Sequence, residues 1–453
     1  MSDVDLLAVA RSVAGAAGAG EQIEAYAVRS RDVDVKVFDG DVEALAVAEI
    51  EGVGVRVISG QRQGYAWAGS LDPDVIADTV ADARDNAGFG SPDEFYGLAD
   101  PATFAGRWEP VSLDLWRDDL LDVSTADKVA LAIDLDARAR AWDRRVRGIE
   151  SATYGDAAVE SAVATSLGVE VANRRTMCSC SAYAMAGEGV DTRTGSGFSA
   201  ARTFAELDVE RTARDAVERA VRLLGARQPS SQRLPVILDP LVTRSIVSLI
   251  GGALSAEAIQ RGRSLFVGRE GETVASAGVT LLDDPTIEAS FGAASHDAEG
   301  VPTHQVALIE AGRLLGMLHN TYTARRGESF TTASAMRGGF KSPPGVGARA
   351  LHLVPGTMSP EEILASVPEA LYVQSVSGLH SGTNPVSGDF SVGVDGLMVR
   401  NGELAEPVRE ITIASTLQRM LADVVHVGAD LEWLPGGAAG MTVLIGDMSI
   451  AGA

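Results

Sequence analysis

Val33-Asp34-Val35-Lys36-Val37-Phe38-Asp39-Gly40 alternates apolar and polar side chains and then runs into a turn pair. Period-two alternation puts the valines on one face of a strand, and Asp-Gly marks a tight turn. Alternation resumes at residues 44–50, and Gly52-Val53-Gly54-Val55-Arg56-Val57-Ile58 reads as another strand. Ser59-Gly60 turns the chain again, and residues 63–68 return. Strands joined by such short turns pair antiparallel, so this stretch reads as a β-meander.

Helices flank the meander. Residues 5–17 read as helical. Asp72-Pro73 opens a second helix to about residue 86, because the Asp side chain accepts free amide hydrogens and Pro is tolerated in a first turn. Residues 88–114, rich in Gly, Pro and Asp, read as a long loop. Ser124-x-x-Asp127 resembles a capping box and opens a helix to about Trp142. Strands are predicted near 147–154, 158–165, 178–187 and 197–204. Asp208 then caps a helix whose apolar stripe is Val209, Ala213, Ala216, Val217, Ala220, Leu223 and Leu224, with Gly225 as its stop.

Gln228-Pro229-Ser230-Ser231-Gln232 is the best boundary, giving an N-terminal α/β domain over 1–228 and a C-terminal domain over 229–453. Past it, residues 234–238 read as a strand and Asp239-Pro240 starts a helix. Ser359-Pro360-Glu361-Glu362 combines cap, Pro and Glu at helix-start positions. From Gly388 the chain reads almost entirely as strand, with Asn401-Gly402 a strong hairpin signal. The whole is mixed α+β, with a β-rich second half.

A chain of 453 residues suggests two or three domains at ~150 residues each. The net charge of −24 argues against a nucleic-acid partner, because phosphate binding needs basic patches. Cys178 and Cys180, one residue apart, share a face if they lie on a strand, and read as reduced thiols of a cytoplasmic protein. The first residues carry no cationic run before their apolar stretch, so they read as an amphipathic helix and not a signal peptide. No run of ~18 apolar residues occurs, so no membrane span is expected.

Metal chemistry has few places to reside. His296, Asp297, Glu299 and His304 form the one local cluster of ligand-type residues; the plain reading is a solvated acidic turn, the alternative a weak divalent-metal site. His319, His352 and His426 stand isolated, and His380 lies in a glycine-rich loop where binding residues often sit. Gly195-Ser196-Gly197 and Ser381-Gly382 read as turn glycines and not as part of a Gly-x-Ser-x-Gly nucleophile elbow. Gly52-x-Gly54 lies within a strand pattern, so it is not expected to bind a cofactor.

Several segments in order resemble one family. Gly262-Arg263-Ser264-Leu265-Phe266, Asp283-Asp284, Asp297-Ala298-Glu299-Gly300-Val301-Pro302 and Gly316–Tyr322 are followed by Asn384-Pro385-Val386-Ser387-Gly388-Asp389-Phe390-Ser391 and Glu410-Ile411-Thr412-Ile413-Ala414. Together they resemble the TldD/TldE (PmbA) family of metallopeptidases. The resemblance implies a barrel-like curved sheet in the C-terminal domain. It also implies a His-Glu-x-x-x-His helix in the catalytic members, at positions that here read Val247, Ser248 and Gly252. The chain is then expected to be the TldE-like, metal-free partner. No cofactor binds it, zinc belongs to a TldD-like homologue with the intact motif, and the two form a heterodimer or larger complex acting on small extended peptides. His380, Asn384, Asp389 and Ser391 are the candidates for lining that chamber, although Asn-Pro and Gly-Asp also simply build turns. Two rivals remain open: a stand-alone metallopeptidase with its metal at His296, Asp297, Glu299 or His380, and a peptide-binding homo-oligomeric scaffold.

Overall fold

The computed structural model describes residues 4–453. Its first sheet has six antiparallel strands, β1 (Glu21–Phe38), β2 (Asp41–Ser59), β3 (Arg62–Ala68), β4 (Val146–Thr165), β5 (Glu170–Ala186) and β6 (Arg193–Ala201), in the order β3-β2-β1-β4-β5-β6. The predicted pairs of strands at 44–50 and 52–58, and at 147–154 and 158–165, are each one continuous strand. Their apolar patterns break near Gly52 and Gly155, but the pairing does not: Gly52 lies opposite Val28, and Gly155 opposite Asp34. A ladder held by its neighbours carries the backbone through a glycine that local pattern reads as a stop.

Four helices cover one face of this sheet: α1 (Leu6–Ala14), α2 (Pro73–Phe89), α3 (Thr125–Trp142) and α4 (Val209–Val221). The side chains of Asp5, Asp72, Ser124 and Asp208 accept backbone N–H groups at their four starts, as the sequence signals. Ile23, Ala25, Ala27, Val53, Val55 and Val57 are buried against α1 and α2. Ala152, Tyr154, Cys178, Cys180 and Ala182 are buried against α3 and α4. The two cysteines do share a face, both are free thiols, and burial pushes the Cys178 thiol up to about 12. Helix α4 stops at Val221, short of Gly225, so Leu223 and Leu224 lie beyond its end.

Gly195 and Gly197 are not turn residues. They sit within β6, directly beneath α4, where a β-carbon on Gly197 would lie 1.9 Å from the Thr212 carbonyl oxygen. Helix and sheet meet backbone to backbone here, and no side chain fits between them. Gly197→Ala is expected to cost about 3 kcal/mol in a denaturant titration, since α4 must lift off the strand. Ser196→Ala, on the exposed side, should change the midpoint little.

The C-terminal half is built on β7 (Gln232–Leu238), β8 (Glu369–Ser377), β9 (Asp389–Arg400), β10 (Glu403–Thr416) and β11 (Val443–Ala451). They run β10-β9-β8-β7-β11, and β11 also pairs with β10, which closes the sheet into a five-stranded barrel. Closure removes the free edges of an open sheet. Asn401 and Gly402 take positive φ values of 53° and 82°, the backbone a two-residue hairpin between β9 and β10 requires. The tail is less uniformly stranded than its pattern indicates, because Leu417–Ala422 is helical.

Helix α5 (Pro240–Ala253) joins the barrel to the loops that pack on the other face of the first sheet. Those loops carry Phe340, whose carbonyl accepts the Tyr65 hydroxyl at 2.7 Å and whose ring meets Trp67 edge-on. No helix of the described residues is long and apolar enough to cross a membrane.

Candidate functional site

Helix α5 starts at Asp239, whose side chain accepts the Leu241 N–H, and buries Val242, Ile246, Val247 and Ile250 in the main core. Val247 therefore lines a small apolar cavity with Leu353, Leu417 and Val443. Ser248 and Gly252 are exposed on the opposite side. The three positions offer one hydroxyl and no imidazole or carboxylate. Zinc takes its ligands from Cys, His, Asp or Glu, so this donor set does not fit the metal.

The stretch from His296 to Glu299 is not a solvated turn. Asp297 and Glu299 are buried, and the protein supplies the partners that water would have given them. Asp297 accepts the N–H groups of Glu299, Val301 and Ala335 at 2.9, 2.9 and 3.1 Å. Burial, reinforced by the Glu299 charge, still pushes its carboxyl up to about 7. Glu299 accepts Arg56 at 3.2 Å and the Thr321 N–H at 2.9 Å. Arg56 also bonds Glu24 at 2.6 Å, and Glu24 pairs with Arg337. This buried network rivets the first sheet to the C-terminal loops.

The cluster's histidines point elsewhere. His296 Nδ1 meets the Ser295 hydroxyl at 3.0 Å, and the His304 ring stacks on Trp108 at 4.1 Å. Burial lowers the pKa of both rings. Among the described residues no three His, Cys, Asp or Glu side chains converge as metal ligands.

The other candidates gather around one exposed turn before β9. Asn384 Oδ1 accepts the N–H groups of Val386 and Ser387, and Asp389 Oδ2 accepts the Ser387 hydroxyl at 2.6 Å. Both side chains thus brace the turn. His380 is exposed on the short helix Leu379–Gly382, and Ser391 is exposed on β9 opposite Ala414.

Sequence reading missed a long concave feature. The face of the first sheet away from α3 and α4 is separated from the C-terminal loops by a trough of three adjoining cavities of about 570, 380 and 270 Å³. The first two share Pro435, and the second and third share Val159, Arg175, Arg337 and Arg349. The signal was there in Arg174-Arg175, within a strand whose predicted start at 178 fell short of them.

Known proteins of the same design extend over the whole molecule. Family models for the PmbA/TldA metallopeptidase match residues 23–87 (domain 1), 118–224 (central domain) and 231–452 (C-terminal domain). The chain belongs to the TldD/TldE (PmbA) family. A metalloprotease of Methanothermobacter thermautotrophicus is 28% identical over 439 residues, 94% of this chain and 92% of that protein. The metalloprotease PmbA of Escherichia coli O157:H7 is 27% identical, covering 98% of this chain and 95% of its own length. The crystal structure of TldE from Thermococcus kodakarensis shares the fold of this TldD/TldE family member, with a TM-score of 0.89 over 98% of this chain and 99% of that one at 22% identity.

Proposed function

We propose that this chain is the non-catalytic, metal-free subunit of a TldD–TldE-type metallopeptidase of the cytoplasm, and that it shapes the chamber in which small extended peptides are cleaved. The observation that carries the reading is the donor set on α5. Where the catalytic members place His, Glu and His, this helix has Val247 facing the apolar core and Ser248 and Gly252 facing out. Zinc and the carboxylate that would take a proton from its water then come from a TldD-like partner. The buried carboxylates Asp297 and Glu299 already serve backbone N–H groups and Arg56, which argues against a second metal site at that cluster.

A docking edge supports the partner. Residues 41–50 of β2 extend past the end of β3, whose pairing begins at Val53, so that side of the strand has no neighbour among the described strands. Val42, Leu45, Val47 and Ile50 are exposed along it. An apolar strand edge of this length is a template for pairing with another subunit.

The test is bound metal in the purified chain after zinc saturation and dialysis. Less than ~0.1 equivalent, with peptidase activity only when a homologue bearing His-Glu-x-x-x-His is added, is the expected result. One tightly held equivalent, or peptide cleavage by the chain alone, would overturn the reading.

A further inference from the structure

The trough has an excess of positive charge that the rest of this acidic chain does not explain. Arg175, Arg202 and Arg349 line it, and none has a carboxylate within ion-pair distance among the described residues. Arg202 donates only to the carbonyls of Thr176, Glu288 and Ser290. Arg349 donates to the Ala335 carbonyl, and its Nε is sealed from solvent without a hydrogen-bond partner in the protein. Arg175 is exposed, and its side chain makes no hydrogen bond among the described residues. Burial lowers the pKa of Arg202 and Arg349, and the charge of Arg175 lowers both further, while Asp297 and Asp283 pull Arg349, and Glu288 and Asp114 pull Arg202, the other way. Arg337 is also in the wall but is committed to Glu24. Asp297 lines the third cavity, with its oxygens turned to backbone N–H groups.

Three guanidinium groups held near one another, none in a direct ion pair and with only Asp283, Asp297, Glu288 and Asp114 acting on two of them from farther off, repel one another, and an oxyanion between them would relieve that repulsion. The shape selects the kind of oxyanion. Trough-lining residues run along β4 from Ser151 to Val163, about 40 Å at ~3.3 Å per residue. A compact ion would occupy one end of that length, whereas an extended chain would fill it. β4 is paired on both sides from Ala152 to Ala164, so along it no free backbone ladder is offered and side chains must do the holding.

We propose that this trough binds an extended acidic peptide, with Arg175, Arg202 and Arg349 taking its carboxylates. The proposal deepens the peptide-chamber reading above and rests on it for the extended ligand. The peptide lies across the inner face of the first sheet, and its carboxylates sit in the second cavity, which all three arginines line.

The test uses the full chain and a fluorescein-labelled peptide of alternating Glu and Val, about ten residues long, followed by anisotropy. The same peptide with Gln for Glu, and inorganic phosphate as competitor, complete the set. The acidic peptide is expected to bind at least ~10-fold more tightly than the Gln version, with an advantage that shrinks as salt rises. Arg175→Gln, which breaks no contact within the protein, should remove most of that advantage, and Arg349→Gln the rest. Equal binding of both peptides would overturn the acidic preference and leave the peptide chamber standing. Arg175-dependent binding of phosphate without binding of either peptide, or no binding of any probe, would overturn the proposal. The metal measurement is unaffected by each of these outcomes.

Discussion

Glu24→Ala is expected to lower the stability of the chain by about 3–5 kcal/mol, the usual cost of removing one partner from a buried ion network. Glu24 is 1% exposed and holds two guanidinium groups, Arg56 and Arg337, each from a different half of the molecule. With it gone, Glu299 is the one carboxylate left for Arg56, and Arg337 keeps only backbone acceptors. Burial is the largest single influence on the Glu24 carboxyl and pushes it up, but the charges of Arg337 and Arg56 outweigh it and leave it below the usual range. A carboxyl lowered in the folded state contributes stability above its unfolded pKa and loses that contribution as pH falls through its folded value. The variant should therefore differ most from the parent near neutral pH and converge with it in acid. Urea midpoints at pH 7 and at pH 3 measure both statements; a loss below ~1 kcal/mol at pH 7 would mean the network does not hold the halves together.

Asp283→Asn has the opposite sign. Asp283 is 1% exposed, and one of its oxygens accepts the N–H groups of Arg349 and Ala350 at 3.0 and 2.6 Å. Burial pushes its carboxyl from 3.8 up to about 6, against the pull of those two bonds and of Arg349. Such a group contributes most below its unfolded pKa, and the contribution is lost as pH rises through about 6. The displacement corresponds to about 3 kcal/mol at pH 8. Asparagine keeps the accepting oxygen and carries no charge, so the variant should be more stable than the parent at pH 8 by up to that amount and nearly equal to it at pH 4. A variant weaker than its parent at pH 8 would show that the ionised carboxylate is supported where it lies. Asp283 also fixes the backbone of Arg349, so the same variant checks that the arginine wall of the trough keeps its shape.

Local signals carried much of the fold. The caps at Asp72, Ser124, Asp208, Asp239 and Ser359 all start helices, and Asn401-Gly402 turns the hairpin it announces, because each signal is satisfied by atoms a few residues away. Features that depend on distant partners were less legible. Gly52 and Gly155 read as strand ends when only their own neighbours are considered, yet they lie in the middle of ladders. Gly195 and Gly197 read as turns because the helix that needs them bare begins at residue 209. Asp297 and Glu299 looked solvated, as acidic residues among glycines usually are; their partners Arg56 and Ala335 are far away in sequence. The trough was invisible for the same reason, since Arg175, Arg202 and Arg349 share a space only after the two halves meet.

The closing stave of the barrel comes after the other four strands in chain order. Val443–Ala451 pairs with Gln232–Leu238 on one side and with Glu403–Thr416 on the other. The first sheet has all its strands by Ala201 and its last covering helix by Val221, so it can assemble while the rest of the chain is still being synthesised. The second half must wait with two unpaired strand edges until Val443–Ala451 has been made. During that interval its exposed β surface is open to wrong partners, and the loss of this strand would make the delay permanent.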